Sequence, residues 1–104
     1  MATEKETLDF VLSQLAGIEG ISSRKMMGEY LIYYRGKVVA GIYDDRFLVK
    51  KTKGSVALLP DMAEEIPYEG AKPMLSMSDA IFDEHSGFAV WMEKIFIAIY
   101  NDIK

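Results

Sequence analysis

Residues 24–50, RKMMGEYLIYYRGKVVAGIYDDRFLVK, constrain the fold more than any other stretch of this chain. Three runs rich in β-branched and aromatic residues are separated only by short turns, at Arg35-Gly36 and at Asp44-Asp45. That pattern predicts an antiparallel meander of three strands. Gly28 opens it, its freedom at the backbone letting the chain enter the first strand. Alternation places Tyr30, Ile32 and Tyr34 on one face of the first strand and Leu31 and Tyr33 on the other. In the second strand Val38, Ala40 and Ile42 alternate with Val39 and Tyr43; Phe47, Leu48 and Val49 form the third.

Helices are expected on both sides of this meander in sequence. Leu8, Val11, Leu12 and Leu15 fall at i, i+3, i+4 and i+7, which predicts a helix from about Glu4 to Ala16. Thr3 with Glu6 reads as its capping box, and Gly17 and Gly20 lie where it should stop. Phe88, Trp91, Met92, Ile95, Phe96, Ile99, Tyr100 and Ile103 keep helical spacing to the end of the sequence, predicting a long last helix over one face of the sheet. Between meander and last helix, Thr52 to Leu59 is expected to be a short helix capped by Thr52, with Val56, Leu58 and Leu59 packing beneath. Pro60 disfavours helix at Leu59, so Asp61 to Glu65 would be a separate turn. Residues 67–73 read as loop, and Met74 to Met77 as a short fourth strand at an edge. The fold class is α+β in one domain spanning 1–104: an N-terminal helix, a three-stranded meander with one or two short edge strands, and a C-terminal helix packed on the sheet.

Composition narrows function mainly by exclusion. The 104 residues contain no cysteine, which removes disulfide scaffolds, zinc–thiolate sites and thiol nucleophiles. No basic segment leads into an apolar run at the start, and no stretch approaches the roughly 20 apolar residues of a membrane span, so a cytoplasmic chain without membrane contact is expected. The formal charge is −4, unfavourable for a free-standing binder of nucleic-acid backbone. Its distribution is uneven: residues 24–53 hold eight basic and three acidic residues, net +5, and the remainder four and thirteen, net −9.

Sites of reaction chemistry do not emerge. His85, the only histidine, has neither a nucleophile to serve nor further ligands near it in sequence and reads as a solvated loop residue. The pairs Met26-Met27 and Met74, Met77 read as adaptable core filling rather than a thioether copper site. Asp44-Asp45 reads as a turn, and Gly28 is followed by neither a phosphate loop nor a dinucleotide fingerprint. No catalytic residue, metal or cofactor is expected. Among the lysines and arginines at strand ends and loops, Lys50 and Lys72 form the pair the topology can bring together, and they are expected to bind a carboxylate or phosphate on a partner or a small ligand.

Arg24-Lys25-Met26-Met27-Gly28-Glu29-Tyr30, Tyr34-Arg35-Gly36-Lys37, Asp45-Arg46-Phe47-Leu48-Val49-Lys50, the later Gly70-Ala71-Lys72-Pro73-Met74 and the helix bearing Trp91 together resemble the N-terminal domain of the TfoX/Sxy family. Met26, Gly28, Tyr30, Gly36 and Trp91 are the structural motif positions. Met27 stands where the family has an aromatic residue and Glu29 where it has a second glycine. The resemblance implies a compact α+β domain similar to small secretion chaperones, with no catalytic residue in its pattern. Better-known members are cytoplasmic regulators of competence genes, acting with the cyclic-AMP receptor protein and carrying a second, C-terminal domain. This sequence reads as a stand-alone first domain. The resemblance therefore implies a non-enzymatic adaptor for a protein partner, a transcription factor being the candidate class, without direct nucleic-acid binding. A homodimer through an unpaired strand edge is compatible with the same reading. The alternative is a small-molecule or anion-binding domain using Lys50 and Lys72.

Overall fold

A computed structural model describes residues 4–77 and 87–103. Helix α1 (Lys5–Gln14) leads into four consecutive antiparallel strands, β1 (Ile21–Met26), β2 (Glu29–Tyr34), β3 (Lys37–Tyr43) and β4 (Arg46–Lys50). Helix α2 (Lys53–Leu58), the short strands β5 (Glu64–Glu65) and β6 (Met74–Ser76) and helix α3 (Phe88–Ile103) follow. The six strands make one open sheet in the order β1-β2-β3-β4-β6-β5. The architecture is the expected α+β arrangement with two differences at the edges. The meander has four strands, because Ile21–Met26 pairs with β2. Met74–Ser76 is internal, since β5 covers its outer side.

Three hairpins of one kind build the meander. Met27-Gly28, Arg35-Gly36 and Asp44-Asp45 all have positive φ at both turn positions, 51° and 84°, 51° and 83°, 52° and 62°. This is the type I′ geometry, whose twist matches that of the flanking strands. Gly28 therefore turns the chain between β1 and β2 rather than merely admitting it to the sheet. It and Gly36 occupy the second turn position, where glycine carries no steric penalty.

Register separates two faces. Tyr30, Ile32, Ala40, Ile42, Phe47, Val49 and Leu75 are matched across the strands and point to one face. Leu8, Val11 and Leu15 of α1 and Phe88, Met92, Ile95, Phe96 and Ile99 of α3 pack there to form the main core. Burying each of these side chains stabilises the fold by about 1.5–3 kcal/mol. Tyr34 and Val39 join them, Val39 through a bulge: Ile32 pairs with Ala40 but Tyr33 with Val38. The extra residue moves Val38 to the opposite face from Ala40 and Ile42, correcting the simple alternation expected for this strand.

Both N-terminal helix starts are completed by distant carboxylates. At α1 the Glu4 backbone N–H and the Thr7 hydroxyl donate to Asp45 Oδ1 at 2.9 and 2.8 Å. A turn residue thus supplies an acceptor at this helix start; the capping box expected of Thr3 and Glu6 rests on Thr3, which lies outside the described residues. At α2, Thr52 and Ser55 form a reciprocal capping box, and the Gly54 N–H donates to Asp102 Oδ2 on α3 at 2.7 Å. Those bonds, from Gly54 first and Thr52 second, hold the Asp102 carboxyl below its ordinary pKa. Ser55 is fully buried and its hydroxyl donates to the Lys50 carbonyl at 2.8 Å. Val56 and Leu58 are 38% and 45% exposed; only Leu59 of the three residues expected beneath this helix is buried. The box turns Ser55, not Val56, inward.

Candidate functional site

Among the described residues, the buried cluster on the second face of the sheet contains no helix residue. Leu31 and Gly41, then Gly41 and Leu48, then Leu48 and Ser76 are register partners across it. Tyr43, Leu48 and Met74 are buried there, with Leu31 packed against them. Gly41 shapes this floor. A Cβ on it would collide with Cε2 of Tyr43, so the Tyr43 ring lies directly on a strand that has no side chain to lift it. Tyr68, from the segment between β5 and β6, meets that ring with centroids 5.9 Å apart and planes at 52°. Burial, with Tyr68 and Glu29 as smaller contributions, raises the Tyr43 pKa, so its hydroxyl stays neutral.

Arg46 holds the 65–67 segment over the face. Its Nη1 meets Glu65 Oε1 at 2.9 Å, its Nη2 donates to the Pro67 carbonyl at 3.2 Å, and its Nε to the Tyr43 carbonyl at 3.2 Å. The Arg46 bond first, then one from Ser76, lowers the Glu65 pKa.

Between floor and segment lies an open groove of about 470 Å³. Met26, Leu31, Val38, Tyr43 and Met74 give it apolar surface; Pro67, Tyr68, Lys72 and Pro73 form one wall, and Lys50, Lys51 and Thr52 another. Among the described residues no acidic side chain lines it. Lys51 is paired with Glu64 Oε2 at 3.0 Å. Lys50, half-buried, and Lys72, exposed, have no carboxylate partner among the described residues. The two lysines singled out by sequence therefore line one groove. Sequence reasoning missed Gly41, Tyr43 and Tyr68, whose only signal was an isolated glycine in a strand, a mark of close approach.

A second feature lies at the sheet's β1 edge. Five of six β1 residues are exposed. Arg24 stacks over the Tyr33 ring at 5.9 Å, and Ser22, Ser23, Arg24, Tyr33 and Gly36 line a shallow cleft of about 290 Å³. Met26 lies at the meeting of edge and groove, and Met27 is 95% exposed on the turn. The core-filling role expected of the methionines holds for Met74 and Met77 and not for this pair. Tyr30 is half-buried against the main core and Trp91 packs edge-on to Phe88 at 5.9 Å. His85 lies outside the described residues. Among the described residues no three His, Cys, Asp or Glu side chains are grouped where they could hold a metal ion, and no helix is long and apolar enough to cross a membrane.

Comparison with known proteins matches this architecture to one family. An uncharacterized 12.7 kDa protein of Spirochaeta aurantia, named for its place in the trpE 5′ region, is 31% identical over 81 residues, covering 78% of this chain and 70% of its own. The model of the TfoX N-terminal domain matches residues 13–96, from the end of α1 through most of α3. The family is not a known enzyme family. With the whole strand meander and the first part of the covering helix inside the matched span, the chain belongs to the TfoX N-terminal domain family.

Proposed function

We propose that this chain is a non-enzymatic interaction domain, an adaptor in regulation, which docks an extended acidic segment of a protein partner along β1. The outer edge of β1 carries the proposal. Among the described residues the strand is hydrogen-bonded on one side only, is exposed at five of its six positions, and presents Arg24 and Lys25 with no acidic residue between Ile21 and Met26.

The phase of its free hydrogen bonds follows from the hairpin. In a two-residue hairpin the closing pair, Met26 and Glu29, exchanges both bonds, so bonded pairs recur at Arg24 and Ser22. The Arg35 N–H donating to the Gly20 carbonyl at 2.9 Å continues that phase. Ile21, Ser23 and Lys25 accordingly aim their N–H and C=O groups outward, free for an added strand. Opposite Arg24 and Lys25, whose side chains leave on opposite faces, an added strand is best matched by two consecutive carboxylates. Family membership supports a regulatory setting, and a transcription factor is the partner class that fits it.

The experiment compares tagged wild type with Ser23→Pro, captured from the native cells with and without nuclease. Proline at Ser23 removes an outward N–H and leaves the β1–β2 ladder whole. A protein retained by wild type after nuclease and lost with Ser23→Pro supports the edge reading; one retained equally by both refutes it. The same reading expects no salt-sensitive DNA binding by the purified chain, and a steep fall of affinity with salt would contradict it.

A further inference from the structure

The second sheet face has a chemistry that strand addition at β1 does not use. Its groove combines an apolar floor, the tilted Tyr43–Tyr68 pair and two lysines free of carboxylate partners among the described residues. About 470 Å³ lies within the range of small-molecule sites, roughly 300–1,000 Å³. We propose that the groove binds a small carboxylate with an aromatic or aliphatic body, its head group between Lys50 and Lys72 and its body on Leu31, Tyr43 and Met74.

The charge pattern selects the head group. In a chain of net charge −4, a groove lined among the described residues by three lysines and no acid favours an anion. One of the three is committed to Glu64, which leaves two point charges on flexible stems and no guanidinium fork. That suits a carboxylate better than a phosphate dianion, which draws on more donors. The floor selects the body. Gly41 lets the Tyr43 ring lie flat on the strand, so a planar or chain-like group can pass over it toward Met74. Tyr68, 58% exposed, stands above as the second aromatic surface.

The test uses the full chain and four probes: phenylacetate, octanoate, phenyl phosphate, and phenylethanol as the uncharged counterpart of phenylacetate. Binding is read by calorimetry and by amide shifts in a nitrogen-edited NMR spectrum. The carboxylates are expected to shift Leu31, Tyr43 and Met74 and to bind about tenfold more tightly than phenylethanol, each tenfold being about 1.4 kcal/mol. Lys50→Ala with Lys72→Ala should weaken carboxylate binding about tenfold and leave phenylethanol binding unchanged. Lys72→Glu, on an exposed position, tests the same charge where the double variant fails to fold, and Lys37→Ala, outside the groove, should change nothing. Binding of phenylethanol equal to phenylacetate would overturn the head-group site, and tighter binding of phenyl phosphate would overturn the carboxylate assignment. No shift with any probe at about 10 mM would overturn the proposal as a whole. Because Ser23 is not among the residues lining the groove, Ser23→Pro should bind the carboxylates as wild type does, so the two readings fail separately.

Discussion

Tyr34 sits in the main core with 1% of its surface exposed, yet its hydroxyl has no hydrogen-bond partner among the described residues. The ring itself is well placed. It meets Tyr100 edge-on at 5.9 Å, Phe96 at 6.3 Å, and the Arg35 guanidinium at 5.2 Å. Tyr34→Phe keeps all three contacts and deletes only the oxygen. In the unfolded chain that oxygen is hydrated; in the folded chain it is buried and gains no bond from the described residues. Burying such a hydroxyl costs about 1–3 kcal/mol. Against this stands the small void left by one oxygen, roughly 0.3–0.5 kcal/mol at the measured cost per unit of cavity volume. The first effect wins, and Tyr34→Phe should stabilise the domain by about 1 kcal/mol, raising Tm by about 4–6 °C for a chain of this size.

Urea denaturation followed by tryptophan fluorescence measures it, since Trp91, the only tryptophan, lies on the helix that covers Tyr34. The midpoint should rise with the slope unchanged. A loss of about 1 kcal/mol or more would mean the hydroxyl makes a bond worth keeping, and the reasoning from an orphaned donor would fail.

Three further perturbations test other parts of the frame. Gly54→Ala sets helix propensity, about 1 kcal/mol in favour of Ala, against a Cβ placed 2.9 Å from the Ala98 Cβ and 2.9 Å from Asp102 Oδ2. Overpacking of about 1–3 kcal/mol should prevail, with Ala98→Gly restoring part of it; a more stable Gly54→Ala would show that α2 does not rest on α3 there. Met27→Asn, at φ 51°, should stabilise the first hairpin by about 1 kcal/mol without touching the core, and an unchanged urea midpoint would refute the strain argument. For Glu65, the folded pKa is depressed, chiefly by Arg46, so its contribution is present above the ordinary carboxylate value and lost as pH falls through the folded one. Wild type should exceed Glu65→Gln in stability at pH 7 by under about 1 kcal/mol, because the pair is about a third exposed. That margin should shrink as pH falls below the ordinary carboxylate value and through the depressed folded one, and a pH-independent difference would exclude the ion pair as its source.

What the sequence made legible followed from local chemistry acting on one-sided burial. The second and third hairpins were readable because Tyr30, Ile32, Tyr34, Ala40 and Ile42 face a helix-covered core and their partners do not, which imprints alternation. The last helix was readable for the same reason, its inner stripe being Phe88, Met92, Ile95, Phe96 and Ile99. Strand β1 was illegible because it is exposed on both faces: Ile21-Ser22-Ser23-Arg24-Lys25-Met26 has no apolar side to alternate with, and its pairing is decided by the Met27-Gly28 turn that follows. At α2 the apolar Val56 and Leu58 misled, since a backbone requirement, the Thr52–Ser55 box with its bond to Lys50, set the helix phase against hydrophobicity. The groove divides the same way. Lys50 and Lys72 stood out as charge in a basic region, but the surface between them depends on register. Gly41 matters because it is opposite Leu31 and Leu48 and two residues from Tyr43 on the same face. A single inserted residue on the other side of that glycine, such as the Val39 bulge, would have turned Tyr43 toward the helices and filled the groove's place with a core side chain. The bulge lies before Gly41 instead, so it sends Val39 to the core and leaves Val38, Gly41 and Tyr43 together on the open face. The site is thus a consequence of where one strand irregularity falls, which composition and charge do not encode.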